Sequence, residues 1–132
     1  MTQRPTAIGL FLCEQVIVEE RPRNVTPVNC FTERGAWAFP AEGIRFIAFA
    51  LLTEGLGEIT LELVVHRLDN FEELYRKAFS AEFANPLQTF RCLVRVRNCP
   101  FPRPGDYQVS LLAEDEIIAQ RKLRIVALEN PS

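Results

Sequence analysis

A single histidine, a single tryptophan and a single methionine occur in 132 residues, and only six residues are glycine. The lone histidine, His66, leaves little imidazole chemistry available, and no G-x-S-x-G or comparable elbow fixes a serine or cysteine beside it. Four cysteines, Cys13, Cys30, Cys92 and Cys99, lack the paired C-x-x-C spacing of a structural zinc site. They lie in apolar or strand-like contexts such as FLCEQV and FRCLVRV, where a reduced thiol behaves as a small buried hydrophobe. Neither sign of charge dominates. Fifteen Lys and Arg stand against seventeen Asp and Glu, a net charge of -2, which excludes a generally basic nucleic-acid binder. Long hydrophobic runs are missing too: Ala7 to Cys13 is far below the ~20 residues of a membrane span. That stretch runs straight into Glu14 and Gln15 without an A-x-A-like cleavage site, so no secretory leader is expected. These absences lead to an expected cytoplasmic protein with no metal or other cofactor, no nucleic-acid or membrane partner, and no catalytic residues.

What is present is strand periodicity in a chain of one-domain size, with 48% hydrophobic residues and an expected core from about 7 to 126 within a single domain, 1–132. In 89–97, Phe90, Cys92, Val94 and Val96 alternate with Arg91, Leu93, Arg95 and Arg97, the pattern of a half-buried antiparallel strand. In 58–66, Ile59, Leu61, Leu63 and Val65 alternate with Glu58, Thr60, Glu62, Val64 and His66. Segment 44–53 is apolar on both faces and predicts a central strand with a second cover, from this chain or a partner copy. Two extended segments, about 7–19 and 25–32, flank a charged proline turn and predict a hairpin. A second hairpin opens at Pro104-Gly105 and turns at Glu114-Asp115-Glu116. On its returning strand Arg121 shares a face with Ile117, Ala119, Leu123 and Ile125, which requires a bulge nearby or a packed stem with its head in water. Pro100, Pro102 and Pro104 form a stiff crossover between strands. Segment 71–79 fits an amphipathic helix capped by Asn70 as well as a strand, and the surrounding strands favour the strand. Together these elements predict an all-β, antiparallel sandwich of seven to nine strands, immunoglobulin-like or C2-like.

Charge is segregated along the chain. Residues 88–126 carry seven basic and four acidic groups, whereas residues 1–70 carry six and nine. Arg91, Arg95 and Arg97, with Lys122 and Arg124, form a candidate basic face. It would pair with carboxylates such as Glu58 or Glu62 across a sheet, or with an acidic protein partner. Trp37 and Phe39, in the loop from Gly35 to Glu42, are candidates for an apolar platform. Phe49 and Leu51, on the doubly apolar strand, are candidates for a homodimer contact. His66 with Glu62 is the minimal acid–base pair, and Glu14, Glu19, Glu20, Asp69, Glu72 and Glu73 are the carboxylates a calcium site could gather. A solvent-facing histidine and the want of an Asp-x-Asp spacing argue against both.

The order FLCEQVIVEE, NVTPVNCFTE, FPAEGIRFIAFALLT, EITLELVVHRLD and FPRPGDYQVSLLAEDEIIAQRKLRI resembles a bacterial family of small uncharacterised β-sandwich proteins, from about Ala7 to Ile125. The resemblance implies an immunoglobulin-like or C2-like fold and no activity. Glu114-Asp115-Glu116 stands where that pattern has Asp-Gly, which argues against a tight type I′ turn. The function expected is a non-enzymatic interaction or scaffold module. The alternative is a small-ligand or carbohydrate-binding sandwich using the loop around Trp37.

Overall fold

The computed structural model describes residues 1–129. Nine strands run in the order β1 (Thr6–Val18), β2 (Val25–Cys30), β3 (Glu33–Ala36), β4 (Phe46–Thr53), β5 (Gly57–Arg67), β6 (Glu73–Phe83), β7 (Phe90–Val96), β8 (Gly105–Ala113) and β9 (Glu116–Ala127). They form two sheets, one ordered β2-β1-β4-β7 and the other β3-β9-β8-β5-β6. Alternation decides which residues go inside. Ile59, Leu61, Leu63 and Val65 of β5 are fully buried, as are Val109, Leu111, Leu123 and Ile125 of the β8–β9 hairpin. From the other sheet Leu10, Leu12, Ala48, Ala50, Leu52, Cys92, Val94 and Val96 enter the same apolar cluster, so both sheets share one core.

Pairing corrects the expectation of a purely antiparallel fold. β3 runs parallel to β9, from Glu33 beside Arg124 to Ala36 beside Ala127, while every other strand pair is antiparallel. A parallel pair needs a crossover rather than a hairpin, and the long stretch of chain between β3 and β9 supplies it. Segment 71–79 resolves as strand: β6 pairs with β5 from Glu73 to Phe83. Asn70 does not cap a helix. Its side-chain oxygen accepts the Glu72 N–H at 2.9 Å and closes a turn instead.

The second hairpin has the tight turn its sequence argues against. Ala113 pairs with Glu116, and Glu114 and Asp115 both have positive φ, 49° and 67°, as a type I′ turn requires. Neighbouring backbone holds these non-glycine residues there. Glu114 donates its N–H to the Thr60 carbonyl at 3.0 Å and accepts the Thr60 N–H on its carboxylate at 2.9 Å. One extra residue lies in β9 between the pairs Leu111–Ala119 and Leu112–Ile117, so Ile117 leaves the core face and is exposed. Arg121 stays on the core side but sends its head to the other sheet rather than to water. Its Nε donates to the Leu10 carbonyl at 2.8 Å, and its guanidinium lies over the Phe11 ring.

The proline crossover carries the chain from β7 to β8, that is, from one sheet to the other. Phe101 within it is fully buried, edge-on to Tyr107 at 4.9 Å. The Tyr107 hydroxyl donates to the carbonyl of Arg103 and lies 3.4 Å from its N–H, pinning the entry to β8.

Candidate functional site

The two sheets present very different outer faces. On the five-stranded sheet, Arg76 pairs with Glu62 and, at 2.7 Å, with Glu73, and Arg124 pairs with Asp106 at 3.1 Å. The Glu73 carboxyl is held below its ordinary range by the Arg76 hydrogen bond. At the β5–β6 turn, Arg67 binds Asp69 at 2.8 Å and Glu72 at 3.7 Å, and Arg103 reaches Asp69 at 3.2 Å. The Arg67 hydrogen bond, with smaller charge contributions from both guanidiniums, lowers the Asp69 pKa. The arginines of this face, Arg76 and Arg124, each have a carboxylate partner, while Lys122 stands opposite Gln108 and Glu58 opposite Glu82 without an ion pair among the described residues.

The four-stranded sheet differs. Register sets Phe49 between Phe11 on β1 and Leu93 on β7, and sets Leu51 between Ile8 and Arg91. Directly opposed residues in antiparallel strands share a face, so Ile8, Phe11, Ile47, Phe49, Leu51 and Leu93 form one apolar stripe on the outside. Phe49 is only 5% exposed, whereas Leu93 is 36%, Phe11 39% and Ile8 54% exposed. The cover over Phe49 is therefore intramolecular, from its flanking strands, and the open surface passes to Phe11, Leu93 and Ile8. Arg91 and Arg95 flank Leu93 on the same face, with Arg97 just beyond the strand end. None of the three arginines makes an ion pair among the described residues. No strand position on this face carries a carboxylate.

Two expectations about the basic residues are corrected here. Glu62 engages Arg76 of β6, not an arginine of β7, because β5 and β7 belong to different sheets. For the same reason Lys122 and Arg124 do not join Arg91, Arg95 and Arg97. They project from β9, opposite Gln108 and Asp106, on the outer face of the five-stranded sheet. The loop candidates also part company. Trp37 is 65% exposed in the connection from β3 to β4, while Phe39 is half-buried against the core, so the two aromatics do not form a joint platform.

The remaining chemical candidates are engaged elsewhere. His66 lies against the ring of Phe71 at 6.2 Å and opposite Glu73, while Glu62 is taken by Arg76. The carboxylates considered for calcium split between β1 or the turn after it, which holds Glu14, Glu19 and Glu20, and the Arg67 and Arg76 ion pairs of the β5–β6 region. Among the described residues no group of three or more His, Cys, Asp or Glu is placed to hold a metal. Burial pushes the thiols of Cys92 and Cys99 up to about 12. Cys13 is raised by burial and then by Cys30, which lies directly across from it on β2.

Sequence reading missed Ile8 and Phe11 for a definite reason. They are three apart, which places them on opposite faces of a regular strand, but one extra residue at Gly9, with φ 73°, returns both to the outside. Leu93 was legible in principle, since it interrupts the Arg91–Arg95 face of β7 beside a doubly apolar β4.

Comparison with known proteins adds the family. No curated protein matches the chain. Among the described residues no helix is long and apolar enough to cross a membrane. A crystal structure of an immunoglobulin-like protein from Pseudomonas aeruginosa is similar, with 14% identity, coverage of 93% of this chain and 97% of that one, and a TM-score of 0.42. A model of a family of unknown function, DUF6941, matches residues 9–126, and the chain belongs to that family.

Proposed function

We propose that this chain is a non-enzymatic protein-interaction module of the cytoplasm, built as an immunoglobulin-like β-sandwich and working through the outer face of its four-stranded sheet. One observation carries the reading. That face joins an exposed apolar stripe, Ile8, Phe11 and Leu93, to arginines without carboxylate partners among the described residues, while the arginines of the opposite face, Arg76 and Arg124, are each held by a carboxylate. Solvated sheet faces are ordinarily polar, and a contiguous apolar patch beside one sign of charge fits a partner surface of apolar and acidic residues. The sandwich assignment draws on the shared core of two sheets and on the Tyr107 hydroxyl bound back to the Arg103 backbone, a corner typical of such folds. Reduced thiols at Cys13, Cys92 and Cys99 pack as small apolar groups, as suits a reducing compartment. The lack of a catalytic role is supported by the engagement of the carboxylates around His66 in arginine pairs.

Affinity capture from cells of the source organism tests this with three baits: wild type, Phe11→Asp with Leu93→Asp, and Lys122→Glu with Arg124→Glu. All substituted side chains are exposed, and circular dichroism of the purified baits checks that each keeps the wild-type fold. Proteins retained by wild type and by the β9 variant but lost by the β1/β7 variant support the reading. An identical catch from all three baits refutes it.

A further inference from the structure

We infer that an extended acidic segment of a partner protein adds as a fifth strand to the free edge of β7, lying in the groove between β7 and β6. The inference rests on the interaction-module reading and names the partner's chemistry and its mode of attachment. Among the described residues β7 is hydrogen-bonded in its sheet only to β4, so its other edge offers unpaired amide and carbonyl groups to an incoming strand. β6 is likewise the edge of its own sheet.

The two edges start together and then open. At one end the rings of Phe83 and Phe90 are 5.9 Å apart. Toward the other end a groove of about 370 Å³ lies between the strands, lined by Tyr75 and Lys77 of β6 and by Leu93, Arg95, Arg97 and Asn98. Tyr75, Lys77 and Phe79 stand opposite Val65, Leu63 and Leu61 of β5, which are wholly buried, so by register they are on the core side of β6. Yet Tyr75 and Phe79 are only half-buried and Lys77 is exposed. The five-stranded sheet has one strand more than its neighbour, and the inner side of β6 lacks cover where a fifth strand beside β7 would lie.

Charge selects the occupant. Lys77, Arg95 and Arg97 make no ion pair among the described residues. A second depression of about 210 Å³ shares Arg95 and Arg97 and adds Arg45, with Glu14, whose carboxylate is 3.9 Å from Arg34. An extended peptide with carboxylates on one side and apolar groups on the other would set the carboxylates beside Arg95 and Arg97 on the outer side while its inner side covers Tyr75, Phe79 and the stem of Lys77, whose ammonium adds positive charge to the groove. A second copy of this chain fits less well. A two-fold contact through this edge brings the same cations face to face, and the strand carboxylate beside them, Glu14, already lies 3.9 Å from Arg34.

The test uses an acetylated, amidated octapeptide alternating glutamate with valine, and the same peptide with lysine for glutamate, against the full chain followed by amide NMR and hydrogen exchange. The expected result is binding of the acidic peptide alone, with slowed exchange of the edge-directed amides of β7 and no change on the edge strands β2 and β3. Lys77→Glu with Arg97→Glu should weaken it by about tenfold or more, and added salt should weaken it likewise. Shifts confined to arginine side chains without amide protection, equal binding of the lysine peptide, or no binding would overturn strand addition. The charged edge would then be a guard against aggregation. A partner lost by the Phe11→Asp, Leu93→Asp bait but kept by the Lys77→Glu, Arg97→Glu bait would also overturn it while leaving the module reading intact.

Discussion

Tyr107 is fully buried, and its hydroxyl ties the end of the proline crossover to the start of β8. Tyr107→Phe keeps the ring against Phe101 but strips the Arg103 backbone of its partner, so urea unfolding should show a loss of about 1 kcal/mol. The cysteines are equally specific. Cys30 is exposed, whereas Cys13, Cys92 and Cys99 are buried, so a thiol reagent should modify Cys30 alone in the native protein and all four after unfolding. Their titration sets an alkaline limit. With Cys92 and Cys99 raised to about 12, the native chain keeps protons that the unfolded chain loses from the ordinary thiol value upward. Stability is thus full below that ordinary value and falls as pH climbs toward about 12. Thermal unfolding at rising pH should show this decline, and Cys92→Ala with Cys99→Ala should flatten it. A residual slope should remain from Cys13, Tyr75 and Tyr107, which burial also raises.

One strand irregularity and one hairpin turn depend on backbone that glycine adopts most readily. The bulge at Gly9 turns both Ile8 and Phe11 outward, and a side chain there would be strained by the φ of 73° and would meet the Phe11 ring at 2.8 Å. Gly9→Ala should therefore cost about 1–2 kcal/mol in denaturant unfolding and shift the Phe11 ring resonances. At the other hairpin, Asp115 carries a φ that glycine adopts without strain. Asp115→Gly should raise the melting temperature by an amount equivalent to about 0.5 kcal/mol. An unchanged or lower melting temperature would show that the Glu114 bonds to Thr60 already absorb the strain. The hairpins were legible because turn residues separate alternating runs. The turn type was not, because Glu-Asp adopts I′ geometry only with Thr60 of β5 beside it.

For the molecule as a whole, charge distribution bears on association. The double apolarity of β4 suggested a partner copy, but Phe49 is covered by its own neighbours, and Phe49→Asp should unfold the chain rather than dissociate a dimer. The open face offers arginines and no strand carboxylate, so it is not complementary to itself. Light scattering at micromolar concentration should give a monomer. A dimer that Phe11→Asp dissociates would place a two-fold axis on this face and displace the acidic partner.

Local periodicity was enough to determine the strand character of the chain, its inner residues and its two principal hairpins, because alternation every second residue follows from the pleat itself. Phe90 to Val96, Ile59 to Val65 and the β8–β9 hairpin could be read in this way. Which strands share a sheet could not, because pairing between distant segments leaves no mark in local spacing. The assignment of β7 to one sheet and of β5 and β9 to the other was decided only in three dimensions. That assignment parts Arg91, Arg95 and Arg97 from Glu62 and from Lys122 and Arg124. The Gly9 bulge then sets the exposed Phe11 beside Phe49 and completes the apolar stripe next to those unpaired cations.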